Sequence, residues 1–126
     1  MWEVFLERAQ HLSAARKLVA DDADYTSALA LLAVHSAISW NDAVSVKLAG
    51  KPVKSEDHMR AAIMVEKQCV SRKLNYDGVR HLKKLIQEKS RVSYGDQRTT
   101  AEAAFALSVS AERFEKWAIQ TLERLA

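Results

Sequence analysis

The chain has 126 residues, the commonest size for one domain, and a domain of that length buries roughly two-thirds of its unfolded surface without help from a disulfide or metal. Its hydrophobic fraction is 48%, and its three glycines and one proline are too few for the corners of a β-rich fold, so an all-α domain is expected. A net charge of +3 is too mild to announce nucleic acid by itself, and the single cysteine, Cys69, excludes an intrachain disulfide and suits a reducing cytoplasm.

The first helix is expected from about Trp2 to Ala20. Trp2, Phe5, Leu6, Ala9, Leu12, Ala15 and Val19 step by three and four and form one apolar stripe. Glu3 and Glu7 stand where a signal peptide would carry basic residues, so no signal peptide is expected. The cluster Asp21-Asp22-Ala23-Asp24 closes this helix and offers caps to the next. That second helix runs from about Tyr25 to Leu48, and its apolar half, Ala28 to Trp40, identifies it as the rod at the centre of the core. The run is too short for a membrane span, which needs roughly 18 apolar residues, so no membrane partner is expected.

Gly50-Lys51-Pro52 breaks the chain. Ser55 is the cap expected for the third helix, with Glu56 and Asp57 in its first turn; Met59, Ala62, Ile63 and a buried Cys69 lie along it. The polar link Ser71–Asn75 leads to a fourth helix around Asp77–Lys89, with Val79, Leu82, Leu85 and Ile86 inward. Ser90 to Gln97 reads as a turn containing Gly95. Thr99-Thr100-Ala101-Glu102 fits a capping box, in which a Thr oxygen and a Glu carboxylate each satisfy a backbone donor of the first turn. The last helix reaches the end of the sequence with Leu107, Ala111, Phe114, Ala118, Leu122 and Leu125 on one face. The whole is an up-and-down helical bundle of about five helices in one domain, residues 1–126.

Several chemistries lack their residues. No Glu-x-x-His pair offers the ligands of a di-iron bundle, and neither a glycine-rich phosphate loop nor a Gly-x-Ser-x-Gly elbow is present. No metal or other cofactor is expected. Of the four histidines, His35 falls in the apolar second helix and reads as a core residue, His11 and His81 fall on mixed faces, and His58 is best placed to meet a ligand. Charge is unevenly spread. Residues 51–98 hold 12 Lys/Arg and 6 Asp/Glu, a local net of +6, while the rest hold 7 and 10, a net of −3. Such a field favours a phosphate-bearing or acidic partner.

The order of elements carries a family resemblance. Ala9, Leu12, Ala15 and Leu18 lie on the first helix; Asp24-Tyr25-Thr26-Ser27-Ala28 opens the second, which is long and Ala-rich. A polar loop with Lys54-Ser55-Glu56-Asp57-His58 follows, then Leu82, Leu85, Arg91 and Tyr94 ahead of a final long helix. Over nearly its whole length the chain resembles a HEPN domain. The resemblance implies a bundle of four main helices with a shorter fifth, usually a homodimer, often the toxin or the partner of a nucleotidyltransferase in prokaryotic toxin–antitoxin or defence systems. RNA-cleaving members carry Arg followed, after four to six intervening residues, by His. Arg91 matches the Arg, whereas Asp96, Gln97 and Arg98 stand where the His would be, and an ionised Asp96 repels the phosphate that Arg91 attracts.

The leading expectation is therefore a non-catalytic HEPN-like binding module, a homodimer engaging a nucleotide, RNA or a nucleotidyltransferase through Lys54, His58, Arg91, Tyr94 and Asp96. Arg91 and Tyr94 are read either as ligand contacts or as structural residues. One alternative is a divergent ribonuclease in which Asp96 or His58 replaces the missing imidazole. The other is an antitoxin-like interaction partner that uses Trp2, Trp40 or Trp117 at an interface.

Overall fold

The computed structural model describes residues 2–51 and 57–126, and every regular element among them is helical. The elements are α1 (Trp2–Val19), a 3-10 turn (Ala23–Tyr25), α2 (Thr26–Ala49), α3 (His58–Ser71), α4 (Val79–Gln87), α5 (Lys89–Tyr94) and α6 (Ala101–Arg124). The expected all-α bundle is what the chain forms, with six α-helices among the described residues where about five were expected.

The centre of the molecule is α2, which packs most extensively on α1 and α6 and also touches α3, α4 and α5. Its small residues Ala30, Ala33, Ala37 and Ala43 are fully buried and let its neighbours approach closely, while Val34 and Val44 fill the spaces between them. By length and composition Ala23–Ala49 would also pass as a membrane span, yet 78% of its most apolar 18-residue stretch is buried inside the bundle, as in a core helix. At its end Gly50 adopts φ +76° and donates its N–H to the Val46 carbonyl, a left-handed cap that a side chain would strain.

On α6 the anticipated face is inward: Leu107, Ala111, Phe114, Ala118 and Leu122 are buried, and Leu125 packs partly against the core. Trp117 joins them, stacked on Phe114 with centroids 5.4 Å apart, and its indole N–H donates to the Asn75 carbonyl at 2.9 Å. Trp40 is buried as well and donates to the Ser13 hydroxyl at 2.8 Å. Two of the three tryptophans proposed for an interface are thus core residues; only Trp2 is half-exposed.

The face that α1 turns inward keeps Trp2, Leu6, Ala9 and Val19 of the expected stripe but not the rest of it. Ala9, Ser13 and Arg16 are buried, with Trp2 and Leu6 packed beside them, while Phe5, Leu12 and Ala15 are only half-buried. The helix is rotated because Ser13 and Arg16 find polar partners across the bundle that a local pattern does not reveal.

The helix ends also depart in detail. Asp22 accepts the Asp24 N–H, so the acidic cluster caps the 3-10 turn. The Ser55 cap falls outside the described residues; Asp57 caps α3 by accepting the Arg60 N–H at 3.0 Å. Thr100, one residue later than the capping box requires, caps α6 by accepting the Ala103 N–H at 3.1 Å, which leaves Glu102 to favour the helix dipole alone. The segment expected as a turn contains α5, because no glycine or proline intervenes between Lys89 and Tyr94 and Val92 packs on the core.

Candidate functional site

Two charged regions stand out, on opposite sides of α2. The first gathers most of the candidate residues. His58 opens α3, half-buried, and burial holds its imidazole below the ordinary 6.5; the positive charge of Lys89 and then His35 lower it further, against a weaker pull from Asp57. His35, on the side of α2 facing these elements, is lowered by burial and by Lys89. Three basic side chains from three helices therefore share one electrostatic neighbourhood. At neutral pH both imidazoles are uncharged and Lys89 supplies the cation.

Arg91, Tyr94 and Lys89 share the short helix α5. The Arg91 Nε donates to the Glu88 carboxylate at 2.6 Å, one turn back on the exposed face, so Arg91 is engaged by a local partner. Tyr94 is 82% exposed, and the Lys89 ammonium lies 5.9 Å from its ring centroid. Asp96 is exposed in the turn after α5. Lys54 falls outside the described residues. His58 and α5 thus meet through Lys89, whereas Arg91 faces Glu88. The two residues that the sequence reading missed are Lys89 and His35. A histidine interrupting an otherwise apolar run was the available signal for His35.

Further along the same side, α4 carries Arg80 and Lys84 near His81, and Arg113 of α6 adds to them. Burial first, then these three cations, hold the His81 imidazole low against Asp77. Of the twelve cations of residues 51–98, five lie on α4 and α5 (Arg80, Lys83, Lys84, Lys89 and Arg91), and Lys83 is paired with Glu66 at 2.9 Å.

The second region joins α1 to α6. Arg16 is 2% exposed; its guanidinium donates to the Ser108 hydroxyl at 3.1 Å, to Glu112 at 2.7 Å and to the buried Glu115 at 3.1 Å. Lys17 reaches Glu115 at 3.4 Å from the solvent side. The Arg16 hydrogen bond and charge hold the Glu112 carboxyl below its ordinary value. This network was not anticipated; Ser13 and Arg16 falling in three-four register with Trp2, Leu6 and Ala9 was its only signature.

Among the described residues no group of three His, Cys, Asp or Glu is placed to hold a metal ion. Cys69 is fully buried, and burial pushes its thiol above the ordinary range, which makes it a core residue rather than a nucleophile. Compared with known proteins, the chain matches no family model and no curated relative.

Proposed function

We propose that this chain is a non-catalytic, HEPN-like binding module that pairs with a second copy of itself and holds a phosphate-bearing ligand, a nucleotide or a stretch of RNA, against the α3–α4–α5 face. The observation that carries the reading is that α3 and α5 both pack on α2, so that the helices bearing His58, Lys89 and His35 meet, with Arg91 and Tyr94 on the helix that bears Lys89. A phosphate arriving there meets one permanent cation and two imidazoles. Its negative charge raises both imidazole pKa values, so binding takes up protons and tightens as the pH falls from neutral toward 6. Tyr94, almost fully exposed beside that cation, offers a surface on which a base can stack. The context that the resemblance implies, a nucleotidyltransferase partner in a prokaryotic toxin–antitoxin or defence system, fits a module of this kind.

Fluorescence anisotropy with labelled single-stranded RNA and with a labelled nucleotide tests the reading. Lys89→Ala and His58→Ala each weaken binding, and affinity falls as salt rises. Binding unchanged by both substitutions at low salt removes the proposal. A divergent ribonuclease has one observation in its favour, a His58 that is neutral at pH 7 beside a cation. RNA cleavage by the purified protein that disappears in Arg91→Ala establishes that reading instead.

A further inference from the structure

The helices α1 and α6 both pack along α2 and are bridged to each other by the Arg16 and Lys17 side chains. They leave an open groove of about 490 Å³, floored by Trp40 and walled by Trp2, Leu6, Ile119 and Leu122. Its charged end is closed by Lys17 and Glu115, which pair with each other, and continues into a second cleft of about 400 Å³. Along the apolar part Glu123 remains as a carboxylate that enters no ion pair among the described residues. An open slot between two splayed helices has the shape that receives a third helix, one presenting apolar residues a turn apart with a cation between them.

The chain itself carries such a helix. On the outer face of α3, Ile63, Lys67 and Val70 follow one another at i, i+4 and i+7, with Met64 alongside. Ile63 is 37% exposed, Met64 41% and Val70 55%, and Lys67 enters no ion pair among the described residues. An apolar groove with a free carboxylate and an apolar ridge with a free ammonium are complementary in both respects.

We infer that the α1–α6 groove receives the outer face of α3 from a second copy of this chain, with Lys67 of one copy meeting Glu123 of the other. This names the contact behind the self-association proposed above and is independent of the ligand reading. It joins two unlike surfaces, so a closed pair makes the contact twice, each copy giving its α3 ridge to the other's groove, and it leaves α4 and α5 open to a ligand.

Sedimentation velocity over a wide concentration range tests it on the full chain, with helical circular dichroism as the check on folding. Ile63→Asp blocks the ridge and Ile119→Asp blocks the groove; both positions are partly exposed, and each substitution alone abolishes association. Mixing the two variants restores a weaker dimer, because one intact groove meets one intact ridge and one of the two contacts survives. Lys67→Glu weakens association about tenfold or more, and adding Glu123→Lys in the same chain recovers it. A wild-type chain that stays monomeric overturns both this contact and the proposed self-association. A wild-type dimer that ignores the ridge and groove substitutions overturns this contact alone.

Discussion

Replacing Arg16 by methionine removes the charge at the middle of the α1–α6 network while keeping most of the side-chain volume. In the native chain Arg16 satisfies Glu115, which is itself only 6% exposed, and also ties down Ser108 and Glu112. Without it, Glu115 keeps only Lys17, at 3.4 Å and half in solvent. Stranding a buried charge in this way costs about 3–5 kcal/mol. Because Lys17 remains, the lower end applies, about 3 kcal/mol, which for a domain of this size lowers Tm by roughly 10–15 °C. Glu112 lies at the surface end of the network, so Glu112→Gln costs no more than about 1 kcal/mol. In the double variant Arg16→Met with Glu115→Leu the stranded charge is gone, and stability returns to within about 1 kcal/mol of wild type. Urea denaturation of wild type, Arg16→Met, Glu115→Leu and the double variant gives the coupling between the two positions directly. An Arg16→Met variant as stable as wild type, or a double variant no better than the single, would refute the buried-pair reasoning.

Two further perturbations probe the core. A Cβ added at Gly78 would lie 2.2 Å from Cγ of Trp117, whose ring is held by its bond to Asn75 and its stack on Phe114. Gly78→Ala is therefore expected to destabilise by about 1–3 kcal/mol and to alter tryptophan fluorescence; Trp117→Leu in the same chain relieves much of the cost. Asp42 is raised from its ordinary 3.8 to about 6 by burial, which the charge of Arg8 only partly offsets. The fold thus favours the protonated acid, and ionising it costs stability as pH rises from about 4 to about 6. Asp42→Asn removes that cost, with a gain of up to about 3 kcal/mol at pH 7 that vanishes in stronger acid. Thermal melts of both proteins across this pH range check the sign, and an equal gain at every pH would contradict it.

What the amino-acid order made legible is the part governed by local periodicity. The unbroken apolar run of α2, the three-four stripe of α6 and the Gly50 break all depend on neighbours within a turn or two, and all three appear in the fold. What it concealed depends on distant partners. Arg16 reads as a surface residue until Ser108, Glu112 and Glu115, more than ninety positions away, are brought against it. Helix α5 was read as a turn because six residues are too few for a periodic signal, although the packing of Val92 holds them helical. In the candidate site, His58 was legible as a residue near a helix start, whereas its company of His35 and Lys89 follows only from how α2, α3 and α5 are stacked. Arg91 was legible by type and position; that its guanidinium turns back to Glu88 was not.

A phosphate-bearing ligand is proposed to seat where α3 and α5 approach α2. Backbone amide chemical shifts of the isotopically labelled chain, followed as a short single-stranded RNA is added at low salt, test this most directly. The predicted result is that the largest changes fall at His35, His58, Lys89 and Tyr94 and disappear in Lys89→Ala. Changes concentrated instead along Leu6, Ile119 and Leu122, or no changes at saturating RNA, would contradict it.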